Sequence, residues 1–438
     1  MTADARMTLG DVAVIESHTR RPYYGWAVLL VASAAMVGTL PGRTQGLGLV
    51  TEPLIADLGL SRVTYAGLNF WATMLGAAGA VGVGQAIDRL GSRSVLTVLA
   101  IALGVVVCGM SRVTSLGALA VSLTLTRALG QSALSVVSLA MVGHWFVRRI
   151  DTAMAVFSLS TSVGFMMAFP AVGVVVQAWG WRTAWFGIGA LLIALLAPVA
   201  WIVVRRSPES CGLAPDVGTG IAETPAGREA IEELTGHSWS MAVSTPAFWV
   251  FAIGTALYGL VASGIGLFNE SILAERGFGA DVYYRTLVIT ALTALVGNFA
   301  GGWAARRVSL TLLLAVSLAV LAGGVVVLPL VRLAWHVVAW AMAMGLGGGL
   351  VMVLFFTVWP RAFGRRDLGR IQGLAQAITV LASATGPLLL AWCVEWTGSY
   401  AAMFRILAGV IACAAVAGLL VSLPAPPPMP SALPSPTR

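Results

Sequence analysis

Residues 270–404 laid beneath residues 52–187 repeat the same punctuation at a shift of 217 or 218 positions. Glu52, Ala56 and Gly59 fall on Glu270, Ala274 and Gly277, and Gly84 and Arg89 fall on Gly301 and Arg306. Gly130 falls on Gly347, Phe146 on Phe363, Arg148-Arg149 on Arg365-Arg366, Pro170 on Pro387, Gly180 on Gly398 and Phe186 on Phe404. Chance can match glycine to glycine in a chain with 50 of them. It does not hold a paired Arg-Arg, a proline and two phenylalanines in that same register. The chain must therefore fold as two related halves.

Composition supplies the solvent. Hydrophobic residues make up 58% of the chain and charged residues 10%, against a soluble norm of roughly 25% charged. Twelve apolar stretches follow one another: 24–50, 64–87, 94–112, 116–141, 152–177, 183–204, 246–269, 283–304, 309–331, 334–359, 371–394 and 401–423. Each is long enough to cross a hydrocarbon core of roughly 30 Å. Backbone in lipid must satisfy its own hydrogen bonds, so each is read as a helix. The expected fold is an all-α integral membrane protein with twelve transmembrane helices in two pseudo-symmetric six-helix bundles. Its parts are an N-terminal tail (1–22), a first bundle (23–204), a polar central loop (205–245), a second bundle (246–423) and a Pro/Ser-rich tail (424–438). Residues 226–235 of the central loop suit either a short amphipathic helix or a plain tether. Parallel repeats of this kind belong to transporters whose substrate site lies between the halves.

Arginine sets the orientation. The chain has no lysine, so all 26 cationic residues are Arg. With the N-terminus inside, seventeen arginines lie in cytoplasmic segments and six outside. The inverted topology would oppose the positive-inside rule, so both termini are expected to be cytoplasmic, in the cell (inner) membrane. The net charge of +8 is then a topology signal spread over short loops, not a nucleic-acid surface. The four cysteines are far apart, with neither metal-ligand nor disulfide spacing. Tyr24, Trp26, Trp179, Trp181 and Trp185 read as an interfacial aromatic belt.

The motifs resemble a known family. Gly84-Gln-Ala-Ile-Asp88-Arg89-Leu-Gly91-Ser-Arg93 is similar to the Gly-x-x-x-Asp-Arg-x-Gly-x-Arg loop between helices two and three of the major facilitator superfamily. Arg127-Ala-Leu-Gly130 resembles that family's helix-four arginine motif. Gly164 to Pro170 to Gly173 matches its antiporter motif in part, with Phe169 where a glycine is expected. Tyr24-Gly25-Trp26, Gly180-Trp181-Arg182, Ser207-Pro208-Glu209 and Thr245-Pro246-Ala247-Phe248-Trp249 resemble junctions of the monocarboxylate and oxalate–formate branch. The resemblance implies a gating role for Gly84, Asp88, Arg89, Gly91 and Arg93, with Asp88 bonding across to neighbouring helix ends. A bland alternative is a basic anchor with a glycine turn. The second copy, Gly301 to Arg306, has Ala305 where the acid stood, so the latch is expected to be one-sided, with Arg306 its remaining cation.

The halves also diverge, and the divergence marks candidates. Arg127 corresponds to Met344, and Arg43 corresponds to the neighbourhood of Leu260-Val261. A charge inside the membrane costs at least ~2.5 kcal/mol and is a functional candidate by default. Arg127 either contacts substrate or is tied to backbone carbonyls between helices. Arg43, in Pro41-Gly42-Arg43-Thr44-Gln45-Gly46, either faces the cavity at a loosened turn or snorkels to the outer face. An arginine fork suits a carboxylate, which accepts two parallel hydrogen bonds. Gln131 beside Arg127, and Gln376, Thr379 and Ser383 on one face of helix eleven, suit either cavity lining or helix–helix bonding. Asn269 and Glu270 are candidates for coupling or for the outer rim.

The reading is a secondary transporter of a small organic anion, a monocarboxylate in the first instance, working by alternating access. A proton or counter-substrate is its partner besides the lipid bilayer, and a monomer is expected. The alternative is an exporter of a neutral or amphipathic compound on the same fold. No cofactor or metal is implied. An enzyme would need a metal cluster, an activated nucleophile or a phosphate loop, and a sensor would need an output domain; the sequence presents none of these.

Overall fold

The computed structural model describes residues 23–78, 82–146, 149–205, 237–364 and 367–424. The N-terminal tail, the stretch 226–235 and most of the C-terminal tail lie outside them. Helix α1 is Gly25–Gly38, α2 is Arg62–Ala77 and α3 is Val83–Met110. Helix α4 starts as Leu116–Thr126, widens into a π-helical segment at Arg127–Leu134, and ends as Ser135–Trp145. One helical run from Ile150 to Leu191 is broken at Gly180. The part before the break is α5. The part after it continues through Ala197–Val203 as α6. The second half has α7 (Pro246–Ala274), α8 (Ala280–Ala304), α9 (Leu310–Val327), α10 (Ala334–Phe363), α11 (Leu368–Thr397) and α12 (Ala401–Leu420). These are the twelve helices expected.

Local chemistry fixes their ends. The side chains of Ser61, Ser115, Thr245 and Ser309 each accept the backbone N–H three residues on, satisfying a donor the helix itself leaves free. Gly59 and Gly277 are repeat partners, and both have positive φ, at 62° and 84°. So do Gly180 and Gly398, at 80° and 71°. A left-handed residue closing a helix favours glycine, so the repeat is carried into the backbone at the same turns. The family-like motif at 84–93 spans a junction of two helices, which meet at Gly91. Helical bonding runs through it from Val83, and the chain bends only at Gly91, with φ 79° and ψ 153°.

The belt expectation needs correction. Trp179 is exposed, but Trp181 and Trp185 are buried, and Trp181 donates its indole N–H to Asp57 at 3.2 Å. Tyr24 and Trp26 pack on Trp145 and Phe146 inside the first half. Phe248, Trp359 and Phe363 form the corresponding aromatic cluster of the second half. The central segment also has structure at its end. Trp239–Ser244 is helical, anchored where Trp239 N–H meets Asp367 Oδ2 at 2.8 Å and His237 N–H meets the Phe363 carbonyl at 2.8 Å.

The first span does not run straight. After α1 it passes through a 3-10 turn at Leu40–Gly42, a single turn at Thr44–Gly48 and a short helix at Thr51–Leu58. Pro41 supplies no N–H, and Gly46 lies so near the Leu40 carbonyl that a Cβ would sit 1.9 Å from it. This broken piece packs against α7, while α2 meets α11 and α5 meets α8. Two close approaches across the halves lie at the end away from the termini. A Cβ on Gly48 would be 2.0 Å from the Gly266 carbonyl, and one on Gly173 would be 2.6 Å from the Tyr284 ring. The halves are therefore closed on each other at that end.

Two glycines separate the roles of these contacts. Gly386 sits on the Leu260 carbonyl within the second half, where a Cβ would be 2.0 Å away. Gly386→Val should lower stability by about 1–3 kcal/mol, as overpacking does, seen as an earlier thermal unfolding midpoint by tryptophan fluorescence. Gly48→Val obstructs only the closing of the halves. It should leave the midpoint nearly unchanged and abolish transport; an early midpoint with normal transport would contradict the assignment.

Candidate functional site

Arg127 opens the π-helical segment of α4, and π-segments recur at functional sites because they widen one turn of the helix. Its side chain is 2% exposed. Nη1 donates to Thr44 Oγ1 at 2.9 Å and to Gln131 Oε1 at 2.6 Å, and Nη2 donates to Asn69 Oδ1 at 3.0 Å. Every one of these partners is neutral. Nε is buried with no protein partner. The ion pairs among the described residues, Arg62–Glu52, Arg182–Asp57, Arg276–Glu275 and Arg285–Asp281, all involve residues at helix ends. Arg127 is thus a buried cation with its geometry fixed and its charge unmatched. Backbone carbonyls do not hold it; three polar side chains from three elements do.

Two glycines let those elements approach. A Cβ on Gly42 would be 2.6 Å from the Thr126 carbonyl and 2.8 Å from Gln131 N, and one on Gly76 would be 2.6 Å from Arg127 Cβ. The break in the first span therefore sits directly on the turn that carries Arg127. That is how Thr44 comes to bond it. Thr44 in turn is 3.5 Å from Ser263 Oγ of α7, the outer limit of a hydrogen bond, so the network reaches the second half.

Arg43 does not snorkel away from the membrane interior. Nε donates to Thr39 Oγ1 at 2.7 Å, Nη2 lies 3.0 Å from Met36 Sδ, and the guanidinium carbon is 5.1 Å from the centre of the Phe165 ring of α5. The side chain thus folds back along α1 and against α5, half-buried. Phe165 is itself stacked on Phe169 at 5.5 Å, which holds the ring in place under the cation.

The structure distributes the remaining candidates. Gln131 joins the Arg127 network directly. Thr379 and Ser383 pack on α7, where a Cβ on Gly259 would be 2.6 Å from Ser383 Oγ and 3.2 Å from Thr379 Cγ2, while Gln376 is exposed. Among the described residues no hydrogen bond links these three to the arginines. Asn269 and Glu270 lie at the closed end; Asn269 Nδ2 faces Thr286 Oγ1 at 3.4 Å. Of the gating set, Gly84 and the side chain of Asp88 lie outside what is described. Arg89 is exposed, and Arg93 stacks its guanidinium 4.0 Å over the Trp201 ring, tying α3 to α6. In the second copy Arg306 donates to its own helix at Gly302 O, 3.4 Å. Arg361 of α10 donates to the Ala305 carbonyl, so a carbonyl receives the cation where the repeat lost its acid.

Sequence reasoning missed Asn69 and Thr44. Asn69 had a signal, being a lone amide inside an apolar span. Thr44 had none beyond its place in the broken turn.

Comparison with known proteins places this geometry. The chain is 28% identical over 411 residues to monocarboxylate transporter 11 of Mus musculus, covering 89% of this chain and 86% of that one. It is 27% identical over 281 residues to an MFS-type efflux pump of Mycolicibacterium smegmatis, covering 61% of this chain and 59% of that one. Its fold is similar to a bacterial homologue of the human lysosomal transporter Spinster, solved in an inward-facing and unoccupied conformation, at a TM-score of 0.65 and 16% identity over 91% of this chain and 93% of that one. Residues 26–342 and 251–437 match the family profile described as the Major Facilitator Superfamily. With twelve helices in two repeated halves and a polar network buried in the first that touches the second, the chain belongs to the Major Facilitator Superfamily and is a membrane transporter, not an enzyme.

Proposed function

We propose that this transporter is secondary active and carries a small organic anion, a monocarboxylate in the first instance, across the cytoplasmic membrane by alternating access coupled to protons. The observation that supports the anion is Arg127. A cation nine-tenths buried without an acid partner is costly, and a substrate carboxylate would supply the missing charge. Arg43, half-buried beside the same network, would be the second electrostatic contact. The similarity to monocarboxylate transporter 11 points the same way. The arginine count, seventeen against six, favours cytoplasmic termini, and the closed end would then face outward. Gln376, Thr379, Ser383, Asn269 and Glu270 remain candidates on the second half, and Asp88 with Arg89 and Arg93 for gating.

One observation favours the second reading, export of a neutral or amphipathic compound. An apolar groove of about 530 Å³ lies between α1, α5 and α6, lined by Val37, Leu40, Ala168 and Leu192 and bordered by the exposed Leu191 and Leu195. Leu40 brings it close to Arg43. A neutral cargo could fill that space without needing either guanidinium.

Arginine substitutions separate the readings. Arg127→Ala should abolish uptake of carboxylates in proteoliposomes while the protein remains folded, because charge-assisted hydrogen bonds of about 1.5–3 kcal/mol are lost. Arg127→Lys should fail too, since a point charge replaces a planar fork. Uptake above half of wild type in either variant would remove Arg127 from the mechanism.

Arg43→Gln should raise the apparent KM for a carboxylate by about tenfold, the effect of one lost charged contact. The same change should hardly alter export of a neutral compound. Unchanged carboxylate KM, together with normal turnover, would reject Arg43 as an anion contact.

A further inference from the structure

Glu52 and Glu270 are the same residue of the repeat, and the fold brings both to the surface where the halves close. Glu52 lies in the helix Thr51–Leu58 and Glu270 in the last turns of α7, and these two helices pack together across the interface. The carboxylates are within electrostatic reach of each other. Their surroundings are unequal. Arg62 meets Glu52 Oε2 at 2.6 Å, and Glu52 Oε1 is buried with no protein partner. Among the described residues no cation pairs with Glu270, whose Oε2 is also buried and unpartnered.

Two further polar groups are enclosed there. Tyr283 of α8 is fully buried with its hydroxyl unpartnered. That hydroxyl is within electrostatic reach of Glu270 and 3.3 Å from where a Cβ on Gly48 would stand. Asn269 is 5% exposed and its Oδ1 has no partner. The other titratable and charged neighbours are Tyr284 of α8, also within reach of Glu270, and Tyr400, which senses Glu52, Arg62 and Glu275. Glu275 is paired with Arg276 at 3.0 Å. The cluster therefore has one positive charge too few, and three unpartnered acceptors (Glu52 Oε1, Glu270 Oε2 and Asn269 Oδ1) against one free donor, the Tyr283 O–H, a combination that costs free energy when enclosed.

A proton supplies the charge and a second donor. We propose that Glu270, facing Glu52 across the interface, is a proton-binding site, and that the halves close at this end only when the proton is bound. The protonated Glu270 carries an O–H for the unpartnered oxygens of Glu52 or Asn269. Opening this end separates the two acids and hydrates Glu270, and the proton leaves to water. Closure and proton binding then favour each other reciprocally, as any two linked equilibria must. This gives the proton coupling proposed above its residues, and it does not depend on the identity of the substrate.

Ala56 and Ala274 are exposed, repeat-related positions on the two sides of the interface. Spin labels on Ala56→Cys and Ala274→Cys measure the gap by pulsed dipolar spectroscopy. The measurement uses the full chain in lipid, with the four native cysteines replaced by serine and no substrate present. The short-distance population should grow several-fold as pH falls from about 8 to about 5, the range a carboxyl perturbed in a protein can cover. Glu270→Gln should hold the short distance at both ends of that range. Glu52→Gln should keep the pH response but move its midpoint to lower pH, because the neighbouring negative charge is gone. A wild-type distribution that ignores pH, or a response undiminished in Glu270→Gln, overturns the assignment. Should Glu270→Gln not fold, an unmoved midpoint in Glu52→Gln overturns it alone. Carboxylate uptake is a separate readout: pH-driven closure in a protein that moves no carboxylate would leave this site standing and remove the anion reading.

Discussion

A guanidinium buried among neutral groups sets the terms for the rest of this molecule. Arg127 is held by Thr44, Gln131 and Asn69, and each of those side chains depends on a local irregularity in its element. Gln131 reaches it because α4 widens to a π-helical turn. Thr44 reaches it because the first span breaks at Pro41-Gly42 and lies on that turn. Asn69 reaches it because Gly76, two turns further along α2, leaves no side chain between the helices. These features weaken regular helices, and together they fix the orientation of one charged fork. Fixing the orientation beforehand removes an entropic cost that binding would otherwise meet.

The repeat explains where such features are allowed to differ. Both halves keep the turns that a six-helix bundle needs, including the left-handed glycines Gly59 and Gly277, and Gly180 and Gly398. They part at the membrane interior, where Arg127 stands opposite Met344 in register and where the first span breaks while α7 stays helical apart from a distortion at Phe268. They part again at the helix ends, where Arg361 bonds the Ala305 carbonyl in place of an acid. Glu52 and Glu270 are the contrary case: identical residues whose symmetry brings like charges together. A pseudo-two-fold arrangement makes that meeting unavoidable at the axis, and only the asymmetric placement of Arg62 distinguishes the two.

Much of this was legible in the sequence, for a physical reason. Membrane spans are written in long apolar runs, and helix-terminating glycines recur at a fixed shift, so twelve helices in two halves could be read directly. The intramembrane charges of Arg43 and Arg127 were conspicuous against that background. Their partners were not, because Thr44, Asn69 and Phe165 reach the arginines through tertiary approach, which spacing does not encode. Thr379 and Ser383 share a helix face, but periodicity cannot say which neighbour that face meets; Gly259 of α7 decides it. Trp181 and Trp185 were misread as belt residues because interfacial and buried tryptophans look alike until Asp57 supplies an indole partner.

The most direct test of an unmatched cation awaiting an anion is the thermal stability of the purified protein with matched ligand pairs. A short organic carboxylate and its primary amide have the same carbon skeleton and differ in charge. A ligand that binds only the folded state raises stability by mass action. The carboxylate should raise the unfolding midpoint in a saturable way, the amide should not, and Arg127→Gln should erase the difference. Equal shifts from carboxylate and amide across a panel of such pairs, or a carboxylate shift that survives Arg127→Gln, would contradict the role assigned to Arg127.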